Sequence, residues 1–170
     1  MSSRQAWGGR ARRRMRIREK LVLRVVSKAL IPFIFLFALY VQFHGDFGPG
    51  GGFQAGVIFA AGFVLYGLIF GLSSVQKLVT PRFVELGIAA GVLLYGGVGI
   101  AGIVLGWGEP GVGNFLDYNV FGHHGGHGVD AHGQHIGILL VELGVGITVT
   151  CAMLAIYTMF AGRGLRGGKG

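Results

Sequence analysis

The apolar residues of this chain fall into four long runs, at 21–43, 53–72, 86–107 and 136–161. A helix needs about twenty mostly apolar residues to cross a hydrocarbon core. The first run carries Arg24 and Lys28 in its opening turns and Pro32 within it, so both cations must extend along the helix to the headgroups. The second has Gln54 as its only strongly polar residue, and the fourth is interrupted by Glu142. The pattern predicts an all-α integral membrane protein with four transmembrane helices within 21–162, a basic tail at 1–20, a second at 163–170, and a long connection at 108–135.

Composition agrees with this. The chain is 52% hydrophobic and only 13% charged, where a soluble domain carries about 25% charged residues. Its mean hydropathy is +0.62. The single cysteine, Cys151, lies in an apolar run, so neither a disulfide framework nor a cysteine-based zinc site can form within one chain.

The net charge of +8 would suit a nucleic-acid binder, but its distribution does not. Ten of the fifteen Lys and Arg residues lie within 4–28, Lys77 and Arg82 sit between the second and third runs, and Arg163, Arg166 and Lys169 follow the fourth. The connections at 44–52 and 108–135 hold no Lys or Arg. Such alternation is the positive-inside pattern of a multi-pass inner-membrane protein with both termini cytoplasmic and the basic tails facing anionic lipid. The expected partner of the charge is therefore membrane lipid, with no role for nucleic acid.

Candidate chemistry is sparse. Small residues recur at four-residue spacing in Gly52/Gly56, Gly67/Gly71, Gly87/Gly91 and Gly102/Gly106, which favours close helix packing in a bundle or a larger assembly. Glu85 and Glu142 stand in repeated VELG contexts, at 84–87 and 141–144. Glu85 opens the third run, where the helix dipole favours an acid. Glu142 follows six apolar or glycine residues, Ile136–Val141. That places it about 9–10 Å into a helix. A carboxylate at mid-bilayer costs roughly 2.5–3.5 kcal/mol and needs a partner or a water path. Glu142 is therefore either a buried group on an ion path or subunit interface, or an interfacial one if the membrane begins at Leu143.

In the 108–135 connection, Phe115, Leu116, Tyr118, Val120 and Phe121 suit a short turn at the membrane interface. His123, His124, His127, His132 and His135 follow, with Asp130 among them. Imidazoles and a carboxylate can bind zinc, nickel or copper. A four-ligand site needs fixed geometry, however, and this stretch is rich in glycine. The expectation is a polar histidine loop with no metal and no other cofactor; His123, His124, His127 and His132 are the ligands a metal site would use.

The stretch HGDFGPGGGFQAG at 44–56 joins the first two runs. Pro49 fixes φ, and Gly50, Gly51 and Gly52 allow conformations closed to other residues. The segment reverses the chain in few residues and exposes its backbone. It can admit a neighbouring backbone or line an ion path beside His44 and Asp46, or it can serve as a plain helical hairpin. The Lys and Ser/Thr of a phosphate-binding loop are missing.

These residues resemble a known family. HGDFGPGGGFQAGVIFAAGFVL, with Pro49, Gly50, Gly51, Gly52, Phe53 and Gly56, is similar to the signature hairpin of the B subunit of Mrp-type multisubunit sodium/proton antiporters. VELGVGITVT at 141–150 resembles that family's last helix, where a glutamate precedes a Gly-x-Gly pair, and the four runs match its helix count. The resemblance implies a small membrane subunit that supports assembly and the ion path and has no catalytic centre of its own. Its partners would be the other subunits, including large complex-I-like antiporter subunits, which carry most of the pumping groups. Glu142, Asp46, His44 and Glu85 are the candidates for this subunit's contribution. The family also supplies membrane-bound hydrogenase-type and other redox-linked complexes, which is the alternative assembly. A stand-alone metal transporter using the histidine loop is the third reading.

Overall fold

The computed structural model describes residues 3–45, 51–107, 115–116 and 131–166. All regular structure among them is helical: α1 (Ser3–His44), α2 (Gly51–Phe70), α3 (Leu72–Leu78), α4 (Pro81–Leu105) and α5 (Ala131–Arg166). Four stretches are long and apolar enough to cross a membrane: Leu21–His44, Gly51–Phe70, Pro81–Leu105 and His135–Gly162. The four spans read from the sequence are thus present, with displaced ends.

Each displacement has a local cause. α4 starts at Pro81 because proline suits the first helical position and holds Thr80 extended before it. It ends at Leu105, where Gly106 caps it by donating its N–H to the Gly102 carbonyl. α2 stops at Phe70 because Gly71 has φ +93°, a left-handed conformation that glycine adopts without strain. A Cβ at Gly71 would have nothing within 4 Å, so this glycine breaks a helix and does not join the packing expected from the Gly67/Gly71 spacing. α3 was not foreseen in the polar connection; it buries Val75 and leaves Lys77 exposed. α5 begins at Ala131, so His132 and His135 belong to a helix and not to the loop expected through 135.

The four long helices pack in the order α4, α5, α2, α1, and α1 also touches α5 near its own C-terminal end. α1 and α2 run antiparallel. Phe35 of α1 packs on Phe59 and Phe63 of α2, with ring centroids 5.8 Å and 5.0 Å apart. Gly62 makes room for it, since a Cβ there would lie 2.7 Å from the Phe35 ring. Further from the hairpin, the Lys28 ammonium lies 5.7 Å from the Phe70 centroid, a cation–π contact between the same two helices.

α2 and α5 run parallel in one register: Gly52 meets Glu142, Gly56 meets Gly146 and Gly67 meets Tyr157, always at the same sequence offset. The Thr150 hydroxyl lies 2.7 Å from the Gly146 carbonyl and 3.1 Å from the Gly56 carbonyl, donating between its own helix and its neighbour. α4 and α5 are antiparallel, and Gly87 and Gly91 admit Cys151 and Thr148. Lipid tails are as apolar as the side chains, so close van der Waals packing and interhelical hydrogen bonds hold such helices together. Glycine permits that approach. A core of Val79, Val84, Cys151 and Leu154, flanked by Phe63, Ile88 and Ile147, fills the end away from the hairpin.

Outside these seams the helices are apolar on their surface; Leu68, Leu93, Met159 and Phe160 are each about 70% exposed. Phe115 lies with its ring against Gly99 of α4, so part of the 108–135 connection folds back on that helix.

The α4–α5 seam yields a paired prediction. A Cβ at Gly91 would lie 2.6 Å from the Gly144 carbonyl and collide with the Thr148 hydroxyl, whereas one at Gly97 meets nothing within 4 Å. Gly91→Ala should destabilise the fold by about 1–3 kcal/mol. Gly97→Ala should be neutral or stabilising by up to about 1 kcal/mol. Thermal unfolding of the two purified variants in one detergent tests the contrast.

Candidate functional site: a carboxylate in a glycine cradle

The hairpin end of α1 and α2 is built around Glu142. This residue lies within the α5 span and is half-buried. A Cβ added to Gly45, just after α1, would lie 2.5 Å and 2.7 Å from the two Glu142 carboxylate oxygens. A Cβ on Gly51, the first residue of α2, would lie 3.1 Å and 3.2 Å from them. One on Gly52 would collide with the Glu142 main-chain carbonyl. Gly45 and Gly51 also touch each other, with a Cβ on Gly51 falling 2.5 Å from the Gly45 Cα. Glycine backbone from both strands of the hairpin therefore encloses this carboxylate, leaving no room for side chains there.

The electrostatics suit a carboxylate. The first N–H groups of a helix have no intrahelical partner, and the aligned peptides leave partial positive charge at that end. Gly51 and Gly52 open α2, so the carboxylate sits beside its positive end. Along α2 and α1, Glu142 is level with the helix ends, not with their middles. It lies at the ends of two membrane-length helices and against their backbone.

One turn further along α5, a Cβ on Gly146 would lie 2.7 Å from Gln42 Oε1 and 3.2 Å from the Gly52 carbonyl oxygen. Gln42 belongs to the last turn of α1 and is only 5% exposed. Its Nε2 is buried, with no hydrogen-bond partner among the described residues. Thr150 lies a further turn along the same face. The polar groups Glu142, Gln42 and Thr150 thus follow one seam.

The other sequence candidates fall elsewhere. His44 is exposed and stacks on Tyr40, with centroids 5.1 Å apart and planes 15° from parallel. Glu85 is exposed on α4 near Gly87, which meets Cys151, about 13 Å along α5 from Glu142 at 1.5 Å per residue. The two VELG glutamates are thus in different surroundings. In the signature hairpin, Gly51, Gly52 and Gly56 are buried in the seam and Phe53 is 56% exposed. Asp46, Pro49, Gly50, His123, His124 and His127 lie outside the described residues. Among the described residues, no group of three or more His, Cys, Asp or Glu is arranged to hold a metal.

The sequence model described as "Domain related to MnhB subunit of Na+/H+ antiporter" matches residues 22–168. The chain belongs to this MnhB-related family. A relative from Staphylococcus epidermidis, named as antiporter subunit mnhB2, is 32% identical over 136 residues, which cover 76% of this chain and 90% of the relative. Relatives with the same name from Staphylococcus haemolyticus and Staphylococcus aureus are 36% identical over 73 residues and 42% identical over 57. Those two alignments cover 43% and 34% of this chain, and 52% and 40% of the relatives. The MnhB match takes in every element of the cradle, from Gln42 to Thr150.

Gln42 and Gly45 were not singled out from the sequence. The available signal was their position: a polar residue and a glycine closing the first span just ahead of the glycine-rich hairpin.

The cradle predicts that Gly52→Ala is poorly tolerated. Its methyl group must displace the α5 backbone at Glu142. A loss of about 1–3 kcal/mol is expected, read as a lower midpoint of thermal unfolding than that of Gly97→Ala in the same detergent.

Proposed function

We infer that this chain is a small integral membrane subunit of a multisubunit sodium (monovalent cation)/proton antiporter. The observation that carries this reading is the match to the MnhB-related family across 22–168, joined to four membrane-length helices. The names of the relatives favour an antiporter over a hydrogenase-type complex or a stand-alone metal transporter. The chain works as part of the assembly, beside large complex-I-like antiporter subunits, and has no catalytic centre of its own. The extensive exposed apolar surface on its helices supports this, because such helices need lipid or other subunits along their faces.

Glu142 is this subunit's contribution to the ion path. A carboxylate is kept in a membrane span despite its cost, and the glycine hairpin is shaped to hold it. Within that cradle it can stay ionised beside the α2 N-terminus or take up a proton or a monovalent cation. Glu142→Gln keeps the size and removes the charge, so it should leave the complex assembled and lower sodium-dependent proton flux. Flux in vesicles is measured together with co-purification of the large subunits. Wild-type flux from the assembled variant would reduce the subunit to a structural one.

The distribution of cations supports a topology with both termini in the cytoplasm. A cysteine placed at position 170 should resist a membrane-impermeant thiol reagent in intact cells, and one in the 108–135 connection should react. Labelling of position 170 from outside would reverse the orientation.

A further inference from the structure

Gln42 is the polar group that the packing leaves unexplained. It is only 5% exposed, and its Nε2 has no hydrogen-bond partner among the described residues. A buried amide donor left unpaired costs roughly 1–3 kcal/mol, and an apolar residue of the same shape would avoid that cost. What the amide lacks is an acceptor. An unpartnered N–H repels a metal cation and selects an oxygen lone pair. Other polar groups in this part of the seam are the Gly52 carbonyl of α2, which together with Gln42 Oε1 flanks Gly146, and the carboxylate of Glu142, one turn from Gly146 along α5. A buried water typically makes two to four hydrogen bonds to groups of this kind.

We propose that Gln42 Nε2 holds a buried water molecule that connects the Glu142 carboxylate to the α2–α5 seam. The inference rests on the reading of Glu142 as an ion-path group and deepens it by assigning the ligand at its inner side. The water oxygen accepts the Gln42 N–H. Toward an ionised Glu142 the water donates a hydrogen bond; toward a protonated Glu142 it accepts one. It therefore stays bound while the carboxyl gains or loses a proton. The proton passes to the water oxygen as another leaves it, and nothing is oxidised or reduced. The Gly52 carbonyl offers an acceptor for the remaining water hydrogen. Gln42 is then a positioning residue, acting on Glu142 through the water.

The test uses the assembled antiporter complex in vesicles, with Gln42→Met, Glu142→Gln and the double variant. Methionine matches the length of glutamine and removes both hydrogen-bonding groups. Gln42→Met should assemble normally and lower proton flux by about tenfold or more, the rate equivalent of losing one hydrogen bond to a charged group. Its apparent sodium affinity should be unchanged, and its loss should deepen toward alkaline pH, where protons are scarce. Gln42→Asn, which keeps an amide donor, should retain more flux than Gln42→Met. The double variant should be no worse than Glu142→Gln alone, because both act at one step. Wild-type flux and pH profile from Gln42→Met, with Glu142→Gln impaired, would overturn the water site and leave the reading of Glu142 standing. Wild-type flux from Glu142→Gln would overturn that reading and this inference together. Additive losses in the double variant, or loss of assembly in both Gln42→Met and Gln42→Asn, would make Gln42 an independent packing group and overturn the proposal.

Discussion

A carboxylate inside a membrane span must be compensated by what surrounds it, and here the surroundings are main chain. Side chains thick enough to cover Glu142 would push α1 and α2 away from α5 and open the site to lipid. Glycines at 45, 51 and 52 allow the peptide groups themselves to close around it. The same choice sets the helix packing, because α2 can approach α5 at Gly52 only where α5 presents its own backbone. The hairpin, the α2–α5 seam and the position of α1 over that seam all depend on this contact.

The packing has two kinds of joint. Toward α4 and α2, α5 uses glycines and hydroxyls, which bring backbones together and permit the Thr150 bridge. Between α1 and α2 the contact is aromatic, with Phe35 seated over Gly62. Neither joint relies on the exclusion of water, which a bilayer cannot supply as a driving force between helices. Both rely on shape, which is why a single methyl group at Gly52 or Gly91 matters and one at Gly97 does not.

Much of this was legible in the sequence, for reasons that also explain the gaps. Bilayer thickness fixes the length of an apolar run, so four spans could be read directly. Helix ends follow from capping and from residues outside the apolar run, as at Pro81 and Ala131, so the runs alone do not mark them. Glu142 stood out because a charge interrupts an apolar run. Its surroundings did not, because they are peptide groups contributed by a segment far away in the chain, and backbone carries no residue-type signal. Gln42 was passed over because a polar residue at the end of a span ordinarily belongs to the interface. Gly71 shows the converse error: its spacing from Gly67 suggested packing, yet its φ shows that it serves to turn the chain.

The buried small residues Gly52, Gly56 and Ala60 lie a turn apart along α2; Gly52 faces Glu142 and Gly56 faces Gly146, with the Thr150 hydroxyl on the Gly56 carbonyl. Small residues a turn apart resemble a rail, along which parallel helices could slide by a turn. The glutamate opposes such a slide. A slip of one turn would carry it against Gly56, away from the chain reversal and the positive helix end, into surroundings where an unmatched carboxylate costs roughly 2.5–3.5 kcal/mol. The glutamate thus also acts as a detent, adding an electrostatic preference to the steric fit that sets the register of the two helices.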